Sequence, residues 1–257
     1  MRNIALLTAA AWLGSLACSP AGAAPAANPT IAQAVAATGS RSADNVAMDA
    51  GRKPAELLAF FGVKRGMQIL DLFGLNGYWA EINAPVVGPR GRVTVWQPTQ
   101  FYTARSFDMW QKSAGRLSNV AVLVSPFEAP VWPARAYDFA LINLDYHDLY
   151  WQNAERGILQ MEPNAWLARL YAAIKPGGVV GVVDHVAVAG SDPRQSVEAL
   201  HRIDPAVIRA DFERAGFKLE AESPLLRNPA DDHTKLVFDK SIRGQTDRVV
   251  YKFRKPR

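Results

Sequence analysis

The chain is almost without cysteine: Cys18 is the single one in 257 residues. A disulfide framework is therefore excluded, and a core of this size does not need one. Long apolar runs are scarce as well. The one near the start, Ile4 to Leu16, falls short of the roughly 20 residues that a membrane-spanning helix requires. Long blocks of one charge sign are lacking too, although 29 Lys and Arg against 24 Asp and Glu leave a net +5. The basic residues are dispersed except in the tail, Lys252, Arg254, Lys255 and Arg257, which reads as a solvated face. With no basic stripe interleaved with aromatics, nucleic acid is not expected as a partner.

What is present begins with a leader. Arg2, the apolar run and the small residues Ala21-Gly22-Ala23 read as a secretory signal peptide over residues 1–23, cut after Ala23. The expected location is periplasmic or secreted, with no membrane span left in the mature chain. A lipoprotein signal through Cys18 is the rival; Ser15 stands where such signals usually carry Leu, so soluble export is preferred. Residues 24–43 are rich in Ala, Pro, Ser and Thr and read as a flexible lead with a short helix near Ile31 to Ala37. Residues 44–257 carry the folded part. An apolar fraction of 49% and a charged fraction of 21% are those of one globular domain.

In that domain strands alternate with helices. Ile69 and Leu70 begin an apolar strand that ends at Asp71, and Gly74 and Gly77 follow in a turn before a helix over Tyr78 to Val87, interrupted near Pro85. Strand, glycine turn and helix start together form the arrangement that cradles a nucleotide-type cofactor. Further strands are expected over Arg92–Trp96, Asn119–Val124, Tyr137–Asn143 and Val179–His185, the last with a continuous Val run that indicates burial on both faces. Strands over Lys218–Leu226 and Arg248–Arg254 close the chain without an intervening helix. The expected fold is α/β, a mostly parallel sheet ending in an antiparallel hairpin.

Ligands of such sheets lie beyond the carboxyl ends of the strands. Asp71 sits at one end, Asn143, Asp145 and His147 at another, Asp184 and His185 at a third, while His201 and His233 lie in excursions able to fold over the same edge. A lone Asp or His at a strand end often only caps a helix or bonds a loop amide. Two polar pairs at neighbouring strand ends, Asp145/His147 and Asp184/His185, favour convergence on a site. His201 and Arg202 in LHRID read equally well as substrate contacts or scaffold; Asp204 reads as a helix cap, and Asp231, Asp232 and His233 as a solvated turn. Arg227 and Arg243 pair with nearby carboxylates or hold an anion.

From about Arg52 onward, the stretches KPAELLAFFGVKRGMQILDLFGLNGYW, NLDYHDLYW, KPGGVVGVVDH, LHRID, AGFKL, LLRNPADDH and RGQTDRVVYKFRKP resemble those of the exported, predicted class I S-adenosylmethionine-dependent methyltransferases. The resemblance spans most of the chain beyond the leader. It implies a Rossmann-like, seven-stranded methyltransferase fold, S-adenosylmethionine as cofactor and methyl transfer to a small molecule. Asp71, Gly74, Gly77 and Asn143 would then face the cofactor, Asp145, His147, Asp184 and His185 would serve catalysis, and His201 and Arg202 would meet substrate. Proton removal would fall to His147 or His185. The chain departs from the usual acid-x-Gly-x-Gly-x-Gly pattern: Phe73 and Leu75 occupy the first two glycine positions, and around Gln97 no carboxylate is available for the ribose. Those departures support a second expectation, a protein of this fold that has lost the cofactor and binds a ligand or partner. A third is a metal-assisted hydrolase using the four histidines, although spacing assigns no metal ligands.

Overall fold

The computed structural model describes residues 29–74, 76–114 and 116–257. The leader, Cys18 and Leu75 lie outside the described residues. Seven strands form one sheet: β1 Gln68–Leu72, β2 Arg92–Pro98, β3 Val120–Ser125, β4 Tyr137–Asn143, β5 Ile174–His185, β6 Lys218–Glu222 and β7 Arg248–Arg254. Their order is β3-β2-β1-β4-β5-β7-β6. The first five pair in parallel, and β7 runs antiparallel to both β5 and β6. The order reverses between β1 and β4, which makes the carboxyl ends of those two strands the switch point where a crevice forms.

Nine described helices cover the sheet: α1 Pro29–Ala36, α2 Ala43–Ala47, α3 Asp49–Arg52, α4 Pro54–Phe61, α5 Tyr78–Val87, α6 Ala104–Ala114, α7 Pro163–Ala173, α8 Pro193–Leu200 and α9 Pro205–Arg214. One face packs Trp166, Leu167 and Leu170 of α7 and Ile208 and Phe212 of α9 over Val180 and Val182. The other packs Ile31, Leu57, Leu58, Phe61, Ile82 and Val86 over Val179 and Val183. Successive valines of β5 thus point into opposite cores, which is why that strand carries no polar alternation.

Several elements differ from the sequence reading. From Pro29 on, the stretch read as a flexible lead is packed: Ile31 is fully buried, and α1 lies against α4 and α5. Arg41 grips Asp49 through two 2.7 Å bonds, and Tyr78 donates to that same carboxylate at 2.7 Å. Helix α5 continues through Pro85, which costs only the bond near its final turn. β6 stops at Glu222, because Pro224 has no N–H to offer a ladder.

Candidate functional site

Asp71 ends in a sealed environment. The residue is 1% exposed, and neither carboxylate oxygen has a hydrogen-bond partner among the described residues. Burial pushes the carboxyl up to about 7, with the Arg52 guanidinium pulling the other way. Gly74 lies directly on it, since a Cβ there would stand 2.7 Å from Asp71 Oδ2 and 2.6 Å from Val95 Cγ1. Gly77 takes φ +70 to start α5, and a Cβ would meet the Trp110 ring at 3.3 Å. Both glycines are therefore faced by the chain's own side chains. On the neighbouring strand Gln97 is fully buried, and its amide N and O both lack partners.

Phe73 holds φ +58, a conformation that suits glycine better. Its ring packs against Trp96 at 5.0 Å, Phe127 at 5.5 Å and Trp166 at 6.3 Å between centroids. Bulk at this motif position is thus absorbed by an aromatic cluster on the α7 face of the sheet.

Beyond β4 and β5 the polar residues converge. Leu144 turns the chain with φ +67, and the short 3-10 turn His147–Tyr150 follows. Asp184, fully buried, accepts the backbone N–H of His147 at 2.8 Å and of His185 at 2.7 Å, and its Oδ1 contacts His147 Nδ1 at 2.8 Å. The rings of His147 and His185 stand 6.0 Å apart. Burial lowers the affinity of His147 for a proton, but Asp184, Asp148 and Asp145 outweigh it and raise the group to about 9. His185 goes the opposite way, far down, through burial and then His147, Arg248 and Arg202. Its Nδ1 contacts Thr246 Oγ1 at 2.6 Å. Asp145 is half-buried, and burial together with Asp148 and Asp184 raises it. Asn143 is buried where β4 ends, opposite Val183.

His201 arrives by a route that sequence periodicity does not show. Helix α8, capped at Asp192, folds back and ends on His201 in the left-handed region, φ +52. Ile203 N–H then bonds His185 O, and Ala187 N–H bonds Ile203 O, both at 3.0 Å, fastening this segment to the end of β5. The His201 ring lies 5.5 Å from His147 and 5.3 Å from Trp151.

Arg202 is corrected to scaffold. It is wholly buried, and four of its five N–H groups bond Asp231 at 2.9 and 3.0 Å, Val186 O at 3.0 Å and Lys235 O at 2.8 Å. Asp231 is likewise no solvated residue but the other half of that pair, and His233 Nε2 contacts Asp247 at 3.0 Å. Arg227 pairs with Asp247 at 2.9 Å. Asp204 does cap α9, accepting from Ala206 N at 2.8 Å. Residues that sequence reasoning passed over are Asp148, Thr246, Arg248 and Arg52. Arg52 stacks on the Tyr78 ring at 4.3 Å and acts electrostatically on both Asp71 and Asp145.

No protein-family model matches the chain, and no curated protein matches it either. Solved structures do. A SAM-dependent methyltransferase from Aquifex aeolicus superposes with a TM-score of 0.56 at 18% identity, covering 87% of this chain and 97% of that one. An S-adenosylmethionine-dependent methyltransferase from Mesorhizobium loti gives 0.56 at 13% identity, covering 81% and 100%. The cyclase SpnF gives 0.56 at 18% identity, covering 84% and 83%. The fold is the Rossmann-like methyltransferase fold.

Proposed function

We propose that this chain is an S-adenosylmethionine-dependent methyltransferase acting on a small molecule outside the cytoplasm. The observation that carries the reading is the pair of buried, partnerless polar side chains, Asp71 and Gln97, at the ends of adjacent strands beside the switch point. Buried polar groups are rarely left unpaired, and a ligand bearing an ammonium and ribose hydroxyls offers partners for both. The chain's residues fit the cofactor in that respect: Asp71 would hold its cationic end, Gln97 its hydroxyls, and the turn at Gly77 and Asn143 would border it. When bound, it supplies an electrophilic methyl group on a sulfonium.

The protein's own work is positioning and water exclusion. Asp184 locks the backbone and ring of His147, so the two histidines at the ends of β4 and β5 hold a fixed spacing. His185, anchored through Thr246, presents its remaining ring nitrogen to the substrate. Export is supported by Arg2, the apolar run and the small residues before Ala24.

A second reading keeps the fold and drops the cofactor, leaving a ligand-binding or interaction protein. Phe73 in the aromatic cluster and Trp110 against Gly77 favour it, and SpnF is a cyclase on the same fold. Titration calorimetry of the folded protein with S-adenosylmethionine and its demethylated product decides between them. One-site binding of both is expected; no heat and no thermal shift at millimolar ligand would leave the second reading standing. His185→Ala should then retain cofactor binding and lose turnover.

A further inference from the structure

His147, Asp148 and His201 each place one donor atom within 4.8 Å of the other two. His147 Nε2 stands 3.5 Å, and His201 Nδ1 3.8 Å, from one and the same oxygen, Asp148 Oδ1. Donors around a single ion at metal–ligand distances of about 2.1 Å and tetrahedral angles stand about 3.4 Å apart, so these two edges need to close by about 0.4 Å at most.

Three further features point the same way. The Asp184 carboxylate behind His147 Nδ1, itself held by two backbone N–H groups, leaves Nε2 as the outward nitrogen and fixes its direction. A carboxylate in that place is the usual outer partner of a metal-bound imidazole. Carboxylates also gather on one imidazole: Asp184 Oδ1 lies 2.8 Å from His147 Nδ1 and Asp148 Oδ1 3.5 Å from its Nε2. Asp145 makes no side-chain hydrogen bond among the described residues. Finally, His201 occupies a left-handed helix end where Gly or Asn is the ordinary choice. Trp151 and Phe238 hold its ring at 5.3 and 5.1 Å. This turn delivers the His201 ring to 5.5 Å from the His147 ring.

We propose that His147, Asp148 and His201 form a binding site for one divalent first-row transition ion, with Asp184 as the residue that orients His147. Two imidazoles and one carboxylate suit zinc, iron or manganese rather than calcium or magnesium, which prefer oxygen donors alone. Three protein donors leave at least one coordination position for water or a substrate oxygen. The site is argued separately from the cofactor reading: among the described residues, no hydrogen bond, ion pair or ring contact of His147, Asp148 or His201 goes to the turn after Asp71.

The test uses the folded protein purified without a histidine tag, stripped with chelator and titrated with Co2+ alone and with Zn2+ alone. One Co2+ per chain, visible by its d–d absorption and displaced by one Zn2+, is expected. His201→Asn, which tolerates the left-handed backbone, should remove the band, and Asp184→Asn should weaken affinity about 10- to 100-fold. His233→Ala, whose ring lies on Asp247, should leave binding intact. Circular dichroism of each metal-free variant confirms that it is folded. No stoichiometric binding by the wild type, or an undiminished band in folded His201→Asn, overturns the site. Calorimetry with S-adenosylmethionine on metal-free protein reports separately on the other reading.

Discussion

Replacing Asp71 with asparagine probes the buried carboxyl beneath Gly74 directly. Its pKa is 3.8 when unperturbed and is pushed up to about 7 in the folded chain. Between those two values the folded state keeps a proton that the unfolded chain has already released. Stability is therefore fully present below about pH 4, falls as pH rises, and reaches its lower level above about pH 7. Three pH units at about 1.4 kcal/mol each give a loss of about 4 kcal/mol across that window. Asparagine has nearly the same shape and does not ionise. Its amide carries a burial cost of its own, but that cost is the same at every pH. The comparison is thus between slopes. Urea unfolding of wild type and Asp71→Asn, followed by circular dichroism from pH 4 to 8 without ligand, should show the wild type losing about 4 kcal/mol relative to the variant. Parallel curves would refute the reasoning, and would mean that the carboxyl finds water or a cation when the chain is in solution.

Other outcomes follow from the packing. Arg202→Ala should cost about 3–5 kcal/mol by leaving Asp231 buried and uncompensated, as read by chemical denaturation. Phe73→Gly removes a ring from the aromatic cluster and should lower stability by about 3 kcal/mol, the strain relieved at φ +58 offsetting part of a larger cavity cost. If that ring obstructs the cofactor turn, the same variant binds S-adenosylmethionine more tightly in calorimetry; unchanged affinity clears Phe73 of the obstruction. Asp204→Ala should cost about 1–2 kcal/mol in thermal or chemical unfolding, since its carboxylate caps α9 and also accepts from Gly190 N at 2.7 Å.

Much of the architecture was legible because it rests on local patterns. Tyr137–Asn143 and Arg248–Arg254 are strands over the residues expected from their apolar runs. The long Val run correctly signalled a strand covered on both sides. Prediction failed where a partner distant in sequence decides. β5 begins at Ile174, five residues early, because Ile174 pairs with Tyr137 across a register shift. The meeting of His147 with His185 was readable, since adjacent parallel strands end side by side. The arrival of His201 was not, because it depends on α8 folding back and on the fastening of Ile203 to β5. LHRID could not reveal that its histidine joins the cluster while the arginine beside it turns inward to a carboxylate 29 positions away. Thr246 and Arg248 lie in RGQTDRVVYKFRKP, but nothing in that stretch gave either a role, and Arg52 precedes the first quoted stretch; long-range packing brings all three to the site.

The aromatic cluster around Phe73 also has an optical consequence. Trp96, Trp132 and Trp166 lie 5.1 to 6.0 Å apart between ring centroids, and the Trp96 indole N–H donates to Ser125 Oγ at 2.7 Å. Indoles at such separations couple electronically, and Phe73 joins them directly to the turn after β1. A ligand that shifts this turn by a fraction of an ångström changes the near-ultraviolet ellipticity and the emission of three chromophores together. The protein thus carries an intrinsic reporter of movement in the turn after β1, and no label is needed to read it.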